Sequence, residues 1–199
     1  MRWKIAPLFA GYALLGLAAC GSISPAGMVA AGRLDPLGTP PDRIGVAVGV
    51  PETVRLGPGD AVMQIAFRGG TPASTVVIEE EVPLQLARDA SRVIRPNSAG
   101  EIVYLATLLP EDAAAFAEAQ AAIREARERG IDGSGTLGLR VIGGCYTGPR
   151  PDGLPTSSWL RTDPSGSFVP LTQRVDAFEA MGDASAFGVA GILTPCQEP

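Results

Sequence analysis

The sequence of 199 residues contains no histidine, and its only lysine is Lys4, so every later basic residue is an arginine. A chain without histidine has neither an imidazole general base nor an imidazole metal ligand. A serine or cysteine nucleophile would need an unusual base, and the sequence has no G-x-S-x-G, S-x-x-K, P-loop or dinucleotide-binding pattern. We therefore predict no cofactor and no metal, and carboxylate chemistry is the catalytic route that remains.

Positive charge is also scarce, since 16 basic residues face 21 acidic ones and the formal net charge is −5. The arginines are spread along the chain without a basic run, which argues against a nucleic-acid partner. Anionic headgroups repel an acidic chain, so any membrane attachment has to be covalent or purely apolar.

Turn-forming residues are abundant. The chain has 25 glycines and 18 prolines, roughly twice the usual combined share of about 12%. This composition favours short elements joined by many turns, and the length suits one hydrophobic core. We expect a single β-rich domain.

The N-terminus carries Arg2 and Lys4, followed by the apolar residues 5–19 and then Cys20. This apolar stretch is shorter than the roughly 20 residues that a spanning helix needs. The order of charge, apolar run and small residues is typical of a targeting signal.

The last four residues of that stretch, Leu17-Ala18-Ala19-Cys20, resemble the lipobox of bacterial lipoproteins. The resemblance implies that residues 1–19 are a signal peptide, that the Cys20 thiol carries diacylglycerol, and that N-acylation adds a third chain such as palmitate. Gly21, where an aspartate would favour the inner membrane, implies the periplasmic face of the outer membrane by similarity to enteric lipoproteins. The alternatives are a cleaved secretory signal with an incidental cysteine and an uncleaved anchor.

Two further regions follow from composition and periodicity. Residues 20–42 are rich in Gly, Pro and Ser and predict a flexible tether, with the alternative that the part from Val29 to Leu37 packs on the domain. Residues 43–199 are predicted to form the single β-rich domain. Alternating bulky residues, as in Ile44–Val50 and Ala61–Phe67, predict strands.

The predicted fold class is mainly β: an antiparallel two-sheet sandwich with one inserted surface helix at about residues 110–129. Pro110 at the first helical position and Gly130 after the last turn mark the ends of this helix. The alternative is an α+β fold in which the helix packs on one open sheet. Residues 130–135 are predicted to be a loop.

With Cys20 assigned to lipid, Cys145 and Cys196 remain in an oxidising compartment, and we predict a disulfide between them. The competing interpretation is a pair of reactive thiols, which no CxxC pattern or basic cluster supports.

Two groups of side chains are candidates for a site. Trp159, Tyr146 and Arg161, with Tyr104, could form an aromatic platform for a glycan or a partner protein, although a lone tryptophan on a strand more often belongs to the core. Glu79 and Glu81 share one strand face, as a paired-carboxylate site would need, although a solvated strand face is the simpler interpretation.

These observations predict a lipid-anchored periplasmic envelope protein with a non-catalytic structural or protein-interaction role. The covalent lipid would attach the protein to the membrane, and an envelope protein is the other partner considered. The alternatives are a glycan- or ligand-binding module, which would expose Trp159 and Tyr146 on one concave face, and an envelope hydrolase with two converging carboxylates. From the lipobox to the closing cysteine, the chain resembles small lipoproteins of high-GC Gram-negative bacteria, a resemblance that implies no activity.

Overall fold

The structure is a computed structural model that describes residues 34–71, 73–180 and 192–197. The predicted signal peptide, the lipobox with Cys20 and the predicted tether up to residue 33 lie outside the described residues. None of the helices in the described ranges is long and apolar enough to cross a membrane.

Strands dominate the described part of the chain. The elements are, in order, the 3-10 turn η1 (Pro41–Arg43), β1 (Gly45–Pro51), β2 (Val54–Arg55), β3 (Ala61–Thr71), β4 (Ser74–Pro83), β5 (Gln85–Arg88), β6 (Glu101–Thr107), α1 (Pro110–Glu128), β7 (Gly133–Val141), β8 (Cys145–Tyr146), β9 (Pro155–Arg161), β10 (Val169–Asp176), α2 (Ala177–Ala180) and β11 (Thr194–Pro195).

The larger sheet has five antiparallel strands in the order β10-β9-β1-β6-β5. Strand β1 lies in its middle, and its Val46, Val48 and Val50 are buried on one face. The edge strand β10 pairs with β9 through two register shifts, and in the second, between Thr172 and Val175, Arg174 adopts a left-handed φ of 52°.

The smaller antiparallel sheet has the order β4-β3-β7. Strand β3 keeps the predicted alternation, with Met63, Ile65 and Phe67 buried on one face. Strand β7 begins at Gly133 because its pairing with β3 continues to Gly69, so the prediction of a loop over residues 130–135 was wrong from Gly133 onward.

Both sheets and helix α1 share one hydrophobic core. The helix begins at Pro110, as predicted, and buries Phe116, Ala119, Ile123 and Ala126 along one stripe. These residues join one cluster with the buried faces of β1 and β3. The mainly β sandwich with a single long helix is therefore confirmed.

A third, small sheet with the order β11-β8-β2 was not predicted. Strand β11 runs parallel to β8, and Cys145 and Cys196 lie at disulfide distance, with a sulfur–sulfur separation of 2.01 Å. The Cys196 amide also donates a hydrogen bond to the Tyr146 carbonyl. The predicted cysteine pair thus holds the C-terminal segment on β8.

Residues 34–43 pack along α1, where the tether was predicted to extend to residue 42. Gln120 is buried, and its Nε2 donates hydrogen bonds to the carbonyls of Pro36 (2.5 Å) and Thr39 (3.0 Å). Arg124 contacts the Leu37 carbonyl. For residues 34–37 this is the alternative considered for the part from Val29 to Leu37. For residues 38–43 the partner is a side chain of a distant helix, which a local pattern without periodicity could not show.

Candidate ligand-binding cleft

On the outer face of the five-stranded sheet, the central strand β1 carries small residues. Gly45 and Ala47 of β1 lie directly opposite Arg161 and Trp159 of β9, so the small and large side chains share one face. A Cβ on Gly45 would lie only 2.9 Å from the Arg161 Nε, and a Cβ on Gly49 only 3.0 Å from the Trp159 ring. The small face of β1 therefore gives Trp159 and Arg161 room to lie across the sheet.

Trp159 forms a second hydrophobic cluster on this face, separate from the main core. Its buried members are Trp159, Ala47, Val103 and Ile94, with Phe168 packed against them. Trp159 itself is only 3% exposed. The tryptophan is therefore a packing residue, and its ring face is not open as a stacking platform.

A cleft of about 590 Å³ opens beside this cluster, between the loop of residues 93–97 and the segment of residues 166–170. Trp159 and Arg161 line it from β9, and Arg95 lines it from the loop. We call this site the arginine cleft. None of its described lining residues is acidic.

The guanidinium of Arg161 is held against an aromatic ring. Its Cζ lies 4.6 Å from the centroid of Phe168, within the range of a cation–π contact. Its Nε is buried and has no hydrogen-bond partner within the described part of the chain. A buried donor without a partner carries a desolvation cost, so this arrangement is not explained by local stability.

The acid nearest to Arg161 in sequence is Asp163, which turns toward its own loop. Its Oδ1 accepts hydrogen bonds from the Ser165 amide (2.9 Å) and the Ser165 hydroxyl (2.8 Å). These two hydrogen bonds lower the pKa of Asp163; desolvation opposes them, and the charge of Arg161 lowers the pKa by a lesser amount. Asp163 therefore stays ionised without occupying the arginine cleft.

A second, smaller cleft of about 210 Å³ lies on the other side of the 93–97 loop and shares Ile94 and Pro96 with the first. Arg88 and Arg92 line it together with Asp89 and Glu101. Both acids already accept backbone hydrogen bonds: Asp89 from the Ile94 amide (3.0 Å), and Glu101 from the amide of residue 97 (2.5 Å).

The predicted platform is only partly assembled. Trp159 and Arg161 lie together on β9, whereas Tyr146 lies on β8 and packs against the main core. Tyr104 is buried in that core as well, where its hydroxyl accepts a hydrogen bond from the Leu56 amide (3.3 Å). The prediction of a platform that joins Trp159 and Tyr146 on one exposed face was therefore wrong.

Glu79 and Glu81 do not form a carboxylate pair facing a cleft. Glu79 accepts a hydrogen bond from the Gln64 amide group (2.6 Å), and Glu81 forms an ion pair with Arg140. The first contact is diagonal between the adjacent strands β3 and β4, and the second reaches across β3 from β7 to β4, both on an exposed sheet face. In the described ranges, no group of three or more Cys, Asp or Glu side chains is placed to hold a metal ion.

No family model matches the chain, and neither the curated proteins nor the solved structures give a match.

The arginines of the 88–95 segment were missed by the sequence reasoning. Arg88, Arg92 and Arg95 fall within eight residues, and this density was the available signal. The proximity of Arg95 to Arg161 cannot be seen in the sequence, because 66 residues separate the two and only the fold brings their segments to one cleft.

Proposed function

We propose that this chain is a lipid-anchored periplasmic envelope protein, attached through Cys20 to the outer membrane, with a non-catalytic structural or interaction role. The observation that carries the proposal is the distribution of the three cysteines. Cys145 and Cys196 lie at disulfide distance, which leaves Cys20 as the one cysteine for acylation.

Three further features support this proposal. Arg2, Lys4 and an apolar run precede Cys20 in the order that lipoprotein signals have. Three acyl chains would exceed the two anchoring signals that stable attachment usually needs. A disulfide is also the normal state of paired cysteines in the periplasm.

The non-catalytic role is supported by the carboxylates that the sequence offered as candidates and by the lining of the arginine cleft. The chain has no histidine, and Glu79 and Glu81 are engaged by Gln64 and Arg140. The arginine cleft presents cations and aromatic rings without a described carboxylate to act as a base.

The test is the Cys20→Ala variant of the full-length chain, with Ser22→Ala as the matched control. We expect Cys20→Ala to remain as precursor or to leave the membrane fraction, and to lose the acyl mass at its N-terminus. The control should keep both, and both variants should retain the Cys145–Cys196 bond in non-reducing peptide mapping. Unchanged processing and membrane association in Cys20→Ala would refute the anchor.

A ligand-binding module is the second candidate, and the arginine cleft favours it. The cleft volume of about 590 Å³ lies within the range of about 300–1,000 Å³ that small-molecule sites have. The candidate differs from the sequence-based version, because Arg161 rather than an exposed Trp159 would supply recognition. Its test is binding of small probes, described below.

A further inference from the structure

We propose that the arginine cleft binds a small organic anion: a carboxylate or a phosphate ester joined to an apolar group, with Arg161 as the residue that pairs with the charge. The inference rests on the ligand-binding candidate. It does not depend on acylation of Cys20.

The charge balance of the cleft is the first argument. The chain has more acids than bases, yet Arg161 and Arg95 line the cleft without a described acid among the lining residues. Asp163 is close enough for the charge of Arg161 to lower its pKa, but its Oδ1 accepts hydrogen bonds from Ser165, and the ion pairs of the described residues include neither Arg161 nor Arg95. Among the described residues, these two guanidinium groups therefore have no carboxylate in ion-pair contact, and an anionic ligand would supply that contact.

The fixed orientation of Arg161 is the second argument. Its guanidinium lies against Phe168 and over Gly45, whose missing side chain makes the close approach possible. A guanidinium that is held in one place loses less conformational entropy when it binds a carboxylate or a phosphate through paired hydrogen bonds. The buried and unpartnered Nε indicates that this position is kept at a cost.

The apolar surroundings are the third argument. Phe168 and Trp159 line the cleft, and Val93 at its edge is 59% exposed. Sites for small ligands combine apolar walls with a few polar groups that fix the orientation. The lining therefore fits an anion with an apolar body better than an inorganic ion.

The sole tryptophan of the domain supplies the measurement. Trp3 and Trp159 are the two tryptophans of the sequence, and Trp3 lies in the predicted signal peptide. The processed chain, or the unprocessed chain with Trp3→Phe, therefore reports through Trp159 at the cleft. We would titrate it in neutral detergent with benzoate, phenyl phosphate, benzyl alcohol and methyl glucoside, and follow Trp159 emission. We expect a saturable change with at least one of the two anions and at least about tenfold weaker binding of the two neutral probes.

Variants of the cleft arginines complete the test. Arg161→Gln should weaken anion binding by about tenfold or more, and the exposed Arg95→Gln, which makes no described packing contact in the core, by a few-fold. Arg140→Gln on the other sheet is the matched control and should bind as the parent does. Circular dichroism of each variant shows whether its fold is retained.

The outcomes separate the proposals. Benzoate alone would assign a carboxylate ligand, and phenyl phosphate alone a phosphate ester. A response only to methyl glucoside would overturn the small-anion inference and keep the cleft as a binding site. Equal binding of benzyl alcohol, or binding unaffected by Arg161→Gln and Arg95→Gln, would also overturn it. No response to any probe would overturn both this inference and the ligand-binding candidate. None of these binding results tests the acylation of Cys20.

Discussion

Gly69 and Gly133 are paired across β3 and β7, and their backbones lie so close that neither position has room for a side chain. A Cβ on Gly133 would lie 2.5 Å from the Arg68 carbonyl oxygen and 2.6 Å from the Gly69 Cα. Both neighbours are backbone atoms, which cannot move aside as the end of a flexible side chain can. The start of β7 therefore depends on a glycine there.

Gly133→Ala should lower the free energy of unfolding by about 1–3 kcal/mol, because the added methyl group overpacks the pair. Gly138→Ala on the same strand is the matched control, since no atom lies within 4 Å of its Cβ position. It should stay within about 0.5 kcal/mol of the parent. Urea unfolding measures both, and equal effects of the two substitutions would contradict the close approach.

The Cys145–Cys196 bond should stabilise the domain by about 2–4 kcal/mol, because a cross-link over 51 residues restricts the unfolded chain. The double variant Cys145→Ser/Cys196→Ser should lose this amount in urea unfolding. Dithiothreitol should destabilise the parent equally and leave the double variant unchanged. Sensitivity of the double variant to the reductant would mean that another bond is responsible.

Tyr104→Phe should destabilise the domain by about 1–2 kcal/mol, because it leaves the buried Leu56 amide without its acceptor. The ring itself keeps its packing, so the loss measures the hydrogen bond. Tyr146→Phe is a useful comparison, since the Tyr146 hydroxyl has no described hydrogen bond to lose. A smaller loss for Tyr104→Phe than for Tyr146→Phe would argue against the bond.

Asp163 should titrate below the usual range of an aspartate, because the Ser165 amide and hydroxyl hydrogen-bond to the charged carboxylate. Its pKa is lower folded than unfolded, so the stabilisation is present above the unfolded-state pKa and is lost as the pH falls through the folded-state pKa. Ser165→Ala removes only the hydroxyl and should raise the pKa part of the way. Carboxyl-carbon NMR titration measures this, and an unchanged pKa in Ser165→Ala would exclude the hydroxyl as a cause.

Gly21→Asp should move the chain from the outer to the inner membrane fraction if Cys20 is acylated, by similarity to the sorting of enteric lipoproteins. Gly21→Ser is the control and should leave the fractionation unchanged. Density-gradient separation of the two membranes measures the shift. Identical profiles for both variants would mean that residue 21 does not direct sorting in this chain.

The strands of the core were predictable because each carries its own pattern. The alternation in β1 and β3 specifies a buried face, and Pro110 with Gly130 marks the ends of α1. The cysteine pair was also predictable, since only two cysteines remained once Cys20 was assigned.

What escaped prediction depends on contacts between distant segments. The packing of residues 38–43, beyond the part for which packing was considered, is held by Gln120 of α1, some 80 residues later. The start of β7 depends on pairing with Gly69. The arginine cleft needs the sheet to bring the 93–97 loop to Arg161. None of these contacts leaves a local period in the sequence, so propensity and pattern could not show them.

The irregular pairing of β10 has a consequence for association between molecules. A regular edge strand offers a row of free backbone groups on which another chain can add a strand. In β10, Pro170 supplies no amide hydrogen, the register shifts twice, and the backbone turns at Arg174. The opposite edge, β5, is only four residues long. Both borders of the large sheet are thereby poor templates for strand addition, which would keep neighbouring copies apart if anchoring concentrates them on one membrane surface.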